Sequence, residues 1–140
     1  MAKSILLQLM AACALLAGCN GDGSSNGDAG SGEPPTFSEI YTNILHKRCA
    51  DAVCHGGGAG NMDFSTRDSA YNALMMKADG PKCRASGKQR VVPGKPEESL
   101  IYLKLQPSPP CGDRMPLSGK LEAGDIEAIE AWIADDAPDN

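Results

Sequence analysis

The feature that most constrains this chain is a short stretch that carries two thiols and an imidazole. It reads CADAVCH over residues 49–55, and three glycines follow it directly. Sulfur and imidazole nitrogen are groups with which proteins hold metals and bond to cofactors, so the stretch is expected to serve chemistry rather than packing. Because glycine has no Cβ, the turn that follows can let the backbone pass close to a bulky group.

The spacing of these residues indicates a haem c site, with one departure. The usual attachment signal is C-x-x-C-H, in which the thiols bond to the haem and the histidine ligates the iron. Here the spacing is C-x4-C-H, although Cys54 and His55 keep their usual relation and the two extra residues are expected to bulge outward. Two alternatives remain open. One is a Cys49–Cys54 disulfide with His55 as a polar turn residue, and the other is a structural zinc site that also uses His46.

The N-terminal residues predict export and a lipid anchor. A cationic start and an apolar run too short to span a bilayer comfortably make residues 1–18 a signal peptide. The run ends LAGC over residues 16–19, which resembles the lipobox of bacterial lipoproteins and implies cleavage before Cys19 and lipidation of that residue. More than one acyl chain gives stable anchoring. An ordinary secretory peptide with an incidental Cys19 is the alternative. The expected location is the cell envelope, at the periplasmic face of a bacterial outer membrane.

The number of cysteines limits which disulfides can form. Of six cysteines, Cys13 leaves with the signal peptide and Cys19 takes lipid. Four are left in the exported domain: Cys49, Cys54, Cys83 and Cys111. An exported compartment permits disulfides, and four cysteines allow three pairings. If a haem occupies the first two, Cys83 and Cys111 are the pair that remains.

Composition excludes some functions and suggests a cofactor. A chain of 140 residues is expected to form one domain. A net charge of −5 and a pI near 4.9 argue against nucleic acid as a partner. Aromatic residues make up only 4%, which predicts a thin core that disulfides or a large apolar cofactor would have to supplement. With only His46 and His55 as histidines and no nucleophile motif around either, the chain is not expected to be an enzyme.

The order of patterns along the chain predicts a tether followed by a helical domain. Residues 19–35 are rich in Gly, Ser, Asp and Asn and read as a flexible tether. The folded domain is expected over residues 36–138. Thr36 and Glu39 fit a capping box that opens a helix running into Cys49. Three further helices are expected: one with Ser65 as N-cap and reaching Met75 and Met76, a short one with Pro96 at its first position, and one from Leu121 that ends by Pro138.

Two surface segments carry further candidates. Residues 79–89 and their neighbours form a basic loop, expected to be solvated or else to meet an acidic partner or a haem propionate. The second segment reads CGDRMPL over residues 111–117 and precedes the last helix. Its Met115 offers a thioether to iron, and a His/Met pair raises the reduction potential relative to two histidines. A loop methionine packed on the core is the simpler alternative.

Taken in order, these parts resemble class I cytochrome c. The resemblance covers residues 36–138 and lies in the helix before the cysteines, C…CH, the Met-Pro loop and the closing helix. LSGKLE at 117–122 and AWI at 131–133 are especially like the family's C-terminal signature. Segments like VVPG at 91–94 and RMP at 114–116 also occur in cytochrome-c-like domains on exported bacterial lipoproteins.

The resemblance implies an all-α domain of about four helices with one haem c in a central cleft. The first and last helices would cross and pack together. Cys49 and Cys54 would hold the haem, His55 would ligate the iron on the proximal side and Met115 on the distal side. The function implied is single-electron transfer to a redox partner protein of unknown identity. A haem-free lipoprotein module, stapled by two disulfides and serving interaction or structure, is the alternative.

Overall fold

A computed structural model describes residues 32–57 and 61–140 of the chain. The predicted all-α class is confirmed, since the described residues form helices and, in place of strands, one isolated bridge between Lys77 and Gln89. The four helices are α1 at 37–48, α2 at Arg67–Leu74, α3 at Leu100–Leu105 and α4 at Ala123–Ala134. Two 3₁₀ turns lie at Arg84–Ser86 and Pro96–Glu98. The predicted signal peptide, Cys19 and most of the tether lie outside the described residues.

Helix α1 begins as its sequence predicts. The Thr36 hydroxyl accepts from the Glu39 amide at 3.2 Å, and the Glu39 carboxylate accepts from the Thr36 amide at 2.8 Å. Both bonds satisfy amides that a helix start would otherwise leave unpaired. The helix is α-helical at Phe37–Ile40, π-helical at Tyr41–Leu45 and α-helical again at His46–Arg48, so it reaches Cys49 without a break.

Helices α1 and α4 pack together through the core, as expected for the first and last helices. The rings of Phe37 and Trp132 lie 5.1 Å apart between centroids, and both side chains are fully buried. The other core residues that these two helices contribute are Ile40, Ile44, Leu45, Ile129 and Ile133. Tyr71 joins Phe37 and Trp132, since its ring lies 5.0 Å from Phe37, so three of the six aromatic residues meet at this contact.

The last residues of the chain fold back onto the start of α1. The Asn140 side-chain oxygen accepts from the Phe37 amide at 2.8 Å, and its main-chain oxygen accepts from the Ser38 amide at 3.0 Å. Arg67 adds a bond to the same main-chain oxygen and an ion pair with Asp139 at 2.7 Å. The predicted domain ends at residue 138, but Asp139 and Asn140 also make these contacts with it.

Helix α2 differs from its prediction at both ends. Its N-cap is Thr66, one residue after the expected Ser65, because Thr66 and Ser69 bond reciprocally in a capping box. The helix ends before the two methionines: Met75 is its C-cap, and Met76 lies beyond it with 57% of its surface exposed. The expectation that both methionines belong to the helix is therefore wrong.

The start of α3 also differs from its prediction. Pro96 opens a separate 3₁₀ turn, and α3 begins four residues later. The break is stabilised by Ser99, whose hydroxyl accepts from the Val92 amide and donates to the Lys95 carbonyl, both at 2.8 Å. The preceding turn is fastened to the end of α4, since the Gly94 amide donates to the Ile133 carbonyl at 2.8 Å.

Candidate cofactor-binding site

The residues between the first two cysteines form a turn organised by Asp51. The Asp51 main-chain oxygen accepts from the amides of Cys54 at 2.8 Å and Gly56 at 2.9 Å. Its side chain accepts from the Val53 amide at 3.2 Å. Val53 is 83% exposed, so the part of the turn that lengthens the motif faces solvent. The residues between the two cysteines thus form a hydrogen-bonded turn whose Val53 side chain faces solvent.

The turn closes tightly against the end of α1. The amides of Cys49 and Ala50 both donate to the Leu45 carbonyl, at 2.9 and 3.0 Å, and the His55 amide donates to the Cys49 carbonyl at 3.1 Å. A Cβ on Gly56 would lie 1.9 Å from the Ala50 carbonyl oxygen. Only glycine fits this position, and its absence of a side chain brings His55 back beside Cys49.

Both thiols of this turn are free, and they differ in environment. Cys49 is half-buried against the core, whereas Cys54 is exposed. Burial, and to a smaller extent the nearby Cys54 thiol, raise the pKa of Cys49 to about 11. Cys49 is therefore a protonated thiol at neutral pH. The alternative of a Cys49–Cys54 disulfide is not formed in this structure.

The other two exported cysteines are joined to each other. Cys83 and Cys111 form a disulfide with an S–S distance of 2.11 Å, the pairing expected once the first two cysteines are set aside. The bridge packs with Ala78 and Leu100 in a small second core. The cysteines thus divide into a structural pair and a pair left available for chemistry.

His55 is held as a neutral imidazole next to the free thiols. Burial lowers its pKa, and the Arg90 guanidinium lowers it as well, against an opposing effect of the Met62 backbone. Its Nδ1 is buried and has no hydrogen-bond partner among the residues that the structure describes. The ring lies 5.2 Å from that of Phe64, whose amide donates to the His55 carbonyl. Neutral imidazole is the form that ligates metals.

His46 lies apart from this group. It is exposed on the last turn of α1, and its Nδ1 lies 3.3 Å from the Tyr41 hydroxyl. Within residues 32–57 and 61–140, no three Cys, His, Asp or Glu side chains converge as metal ligands. The alternative zinc site, which needed His46 beside the two thiols and His55, is not assembled in this structure.

The Met115 segment is fastened to α3 and to the end of α1. The Met115 amide donates to the Lys104 carbonyl at 2.8 Å, and Met115 itself is half-buried. Arg48, directly before Cys49, donates to the Lys120 carbonyl at 3.3 Å. Asp125, in the first turn of α4, acts electrostatically on the Cys49 thiol. The chain that follows the Met-Pro pair therefore reaches the same end of the α1–α4 pair as the cysteine turn.

The role of Arg90 is not evident from the sequence. It directly follows the basic segment at 79–89, which is expected to be solvated, but it is only 5% exposed. Its guanidinium donates to the carbonyls of Ala73 at 2.8 Å and Asn61 at 2.9 Å and pairs with Asp79. It also borders an open cleft of about 580 Å³. The neighbouring Lys82 and Arg84 are exposed, as expected.

Comparisons with protein-family models, curated proteins and solved structures find no match to this chain. Among the described residues, no helix is both long and apolar enough to cross a membrane.

Proposed function

We propose that this protein is an exported, lipid-anchored monohaem c-type cytochrome that transfers single electrons. The observation that carries the proposal is the state of the CADAVCH turn. Two free thiols flank a solvent-facing turn, and the adjacent imidazole is neutral, with a buried nitrogen that lacks a partner among the described residues. The other two exported cysteines are already joined.

The residues present fit a haem by the chemistry of their donor atoms. Cys49 and Cys54 would hold it by thioethers, His55 would ligate the iron on the proximal side and Met115 on the distal side. When bound, the haem would supply a reversible one-electron Fe(III)/Fe(II) couple. The protein would orient the imidazole through the His55–Cys49 main-chain bond and supply the thioether from a loop fastened to α3.

The helical arrangement supports a cytochrome c-like fold as part of this proposal. Helix α1 runs directly into the cysteine turn and packs on α4 through Phe37 and Trp132, the arrangement that the family resemblance implies for the first and last helices. The protein would exchange electrons with a redox partner protein and would not turn over a substrate. Its attachment to the membrane would depend on Cys19, and its place would be the cell envelope.

Intact mass and a pyridine haemochrome spectrum of the full chain, made in a host with haem c maturation, test the proposal. The mass should exceed that of the lipidated polypeptide by one haem, and the spectrum should show haem c. Exchange of both Cys49→Ser and Cys54→Ser should abolish both signals. The matched control, Cys83→Ser with Cys111→Ser, also replaces two cysteines but removes the disulfide, and it should keep the haem.

The same measurement separates the proposal from its alternative. A polypeptide mass lowered by four hydrogens, with no haem spectrum, would show that both exported cysteine pairs are oxidised. The protein would then be the haem-free, disulfide-stapled lipoprotein module, and the electron-transfer proposal would be wrong.

A further inference from the structure

The loop between the disulfide and Met115 is wrapped around one lysine side chain. The Lys104 ammonium donates to the main-chain carbonyls of Cys111 at 2.8 Å and Asp113 at 2.6 Å. The main-chain carbonyl of the same lysine accepts from the Met115 amide at 2.8 Å. Three bonds to a single residue of α3 therefore fix three positions in a five-residue segment.

The loop lies close to the Lys104 side chain at Gly112. Its φ is +58°, and a Cβ on this residue would lie 2.9 Å from the Lys104 nitrogen and 3.2 Å from Lys82 Cβ. The left-handed backbone at this residue favours glycine, and the absence of a side chain leaves room for the ammonium beside the loop. One end of the wrapped segment, Cys111, is held covalently by the disulfide, so the lysine fixes the part that is free to move.

Lys104 differs from an ordinary surface lysine in its partners. It binds carbonyl oxygens of the backbone, whereas the Asp113 carboxylate is paired with Lys82 at 2.5 Å. Removing the Lys104 ammonium would release the backbone of the loop, whereas removing the Lys82 ammonium would release only an exposed side chain. The two lysines lie against the same loop and carry the same charge, which makes Lys82 a matched control.

We propose that Lys104 is the positioning residue for Met115, holding the loop in the conformation that presents the thioether to iron. This inference rests on the proposed function. The lysine would touch neither the haem nor the iron. It would act only through the backbone of residues 111–115, and the methionine would lose its defined position when that backbone is released.

The test compares Lys104→Met with Lys82→Met in the purified, haem-loaded full chain. Amide hydrogen exchange of a peptide covering 111–117 should speed up about tenfold or more in Lys104→Met, since two charge-assisted bonds to the backbone are lost. The weak red-end absorbance of ferric iron bound to sulfur should fall sharply in the same variant. Lys82→Met should leave both readouts as in the wild type.

Two further variants cover a failure of Lys104→Met to fold. Lys104→Arg retains several donors and should restore part of the absorbance. Gly112→Ala keeps the lysine but places a methyl group against its nitrogen, and it should reproduce the faster exchange.

The possible failures are distinguishable. If the wild type shows the sulfur absorbance and Lys104→Met shows it equally with unchanged exchange, the positioning role is wrong and the proposed function stands. If haem-loaded wild type lacks the absorbance, Met115 is not the distal ligand, and the positioning role falls with that assignment. If no haem is attached at all, the proposed function itself fails.

Discussion

The two free thiols lie in one turn, yet they differ in burial. Cys49 packs against the core, and its pKa of about 11 keeps it protonated throughout the neutral range. Cys54 is open to solvent beside it. His55 is kept neutral by burial, so neither the half-buried thiol nor the imidazole places a charge in the apolar part of the site.

At the residue scale, we expect Met115→Ala to remove the weak red-end absorbance that reports sulfur on ferric iron. The reduction potential should also fall, because a His/Met pair raises the potential relative to other ligand sets. Visible spectroscopy of the ferric protein and a redox titration measure the two effects.

His46→Ala is the control for this prediction. His46 is exposed and faces Tyr41 on the last turn of α1, so its removal should leave both properties nearly unchanged. Loss of the sixth ligand in the His46 variant, with Met115→Ala unaffected, would show that the iron is held by two histidines.

The role of a single residue could be predicted where the sequence alone determines it. It could not be predicted where the role depends on backbone groups that are distant in sequence. The pairing of Cys83 with Cys111 followed from counting once the motif was set aside. The burial of Arg90 was not predictable, because its partners are carbonyls of Ala73 and Asn61 that only the fold brings to it. A run of basic residues does not indicate that one of them, here Arg90, is buried.

At the scale of elements, local signals predicted α1 well and α2 less well. Thr36 and Glu39 offer one capping box and one start for α1. Ser65 and Thr66 can both cap a helix. Thr66 is the N-cap because its side chain accepts from the Ser69 amide, and the Ser69 side chain accepts from the Thr66 amide. The π-helical turn in α1 has no sequence signal of its own. Within this turn, the consecutive residues Ile44 and Leu45 are both buried in the core.

The disulfide gives a prediction at this scale. Exchange of both Cys83→Ser and Cys111→Ser should lower the free energy of unfolding by about 3–4 kcal/mol, because a cross-link over 28 residues restricts the unfolded chain. Urea denaturation followed by circular dichroism measures the change. A difference below about 1 kcal/mol would contradict the expectation, as would labelling of both thiols in the unreduced, denatured wild type.

Contacts between residues far apart in sequence join the two ends of the domain, and no local sequence pattern predicts them. Asn140 binds the amides of Phe37 and Ser38 across more than a hundred residues of sequence, and the Trp132 indole donates to the Pro138 carbonyl at 3.0 Å. A composition poor in aromatics predicts a thin core. It could not show that the last residues of the chain would supply polar caps at the domain's edge.

At the scale of the whole molecule, we expect Cys19→Ser to release the protein from membranes. The LAGC sequence over 16–19 predicts lipidation of this residue, and none of the described helices is long and apolar enough to cross a membrane. Fractionation of cells into soluble and membrane parts, followed by immunoblotting, measures the release. Ser4→Ala, a change in the signal peptide outside this sequence, serves as the control. If the Cys19 variant sediments with membranes as the wild type does, the anchor lies elsewhere.

Helix α1 gives the domain two unlike ends. Its twelve residues span about 18 Å, with the Asn140 cap at one end and the cysteine turn at the other. The capped end is also where the chain enters the domain from the N-terminal side. Electron tunnelling weakens steeply with distance, so a partner seated on the capped end would be a poor donor to a haem held at the thiols. If the proposed haem is bound at the thiols, electrons would therefore enter and leave at the end of the domain near Cys54.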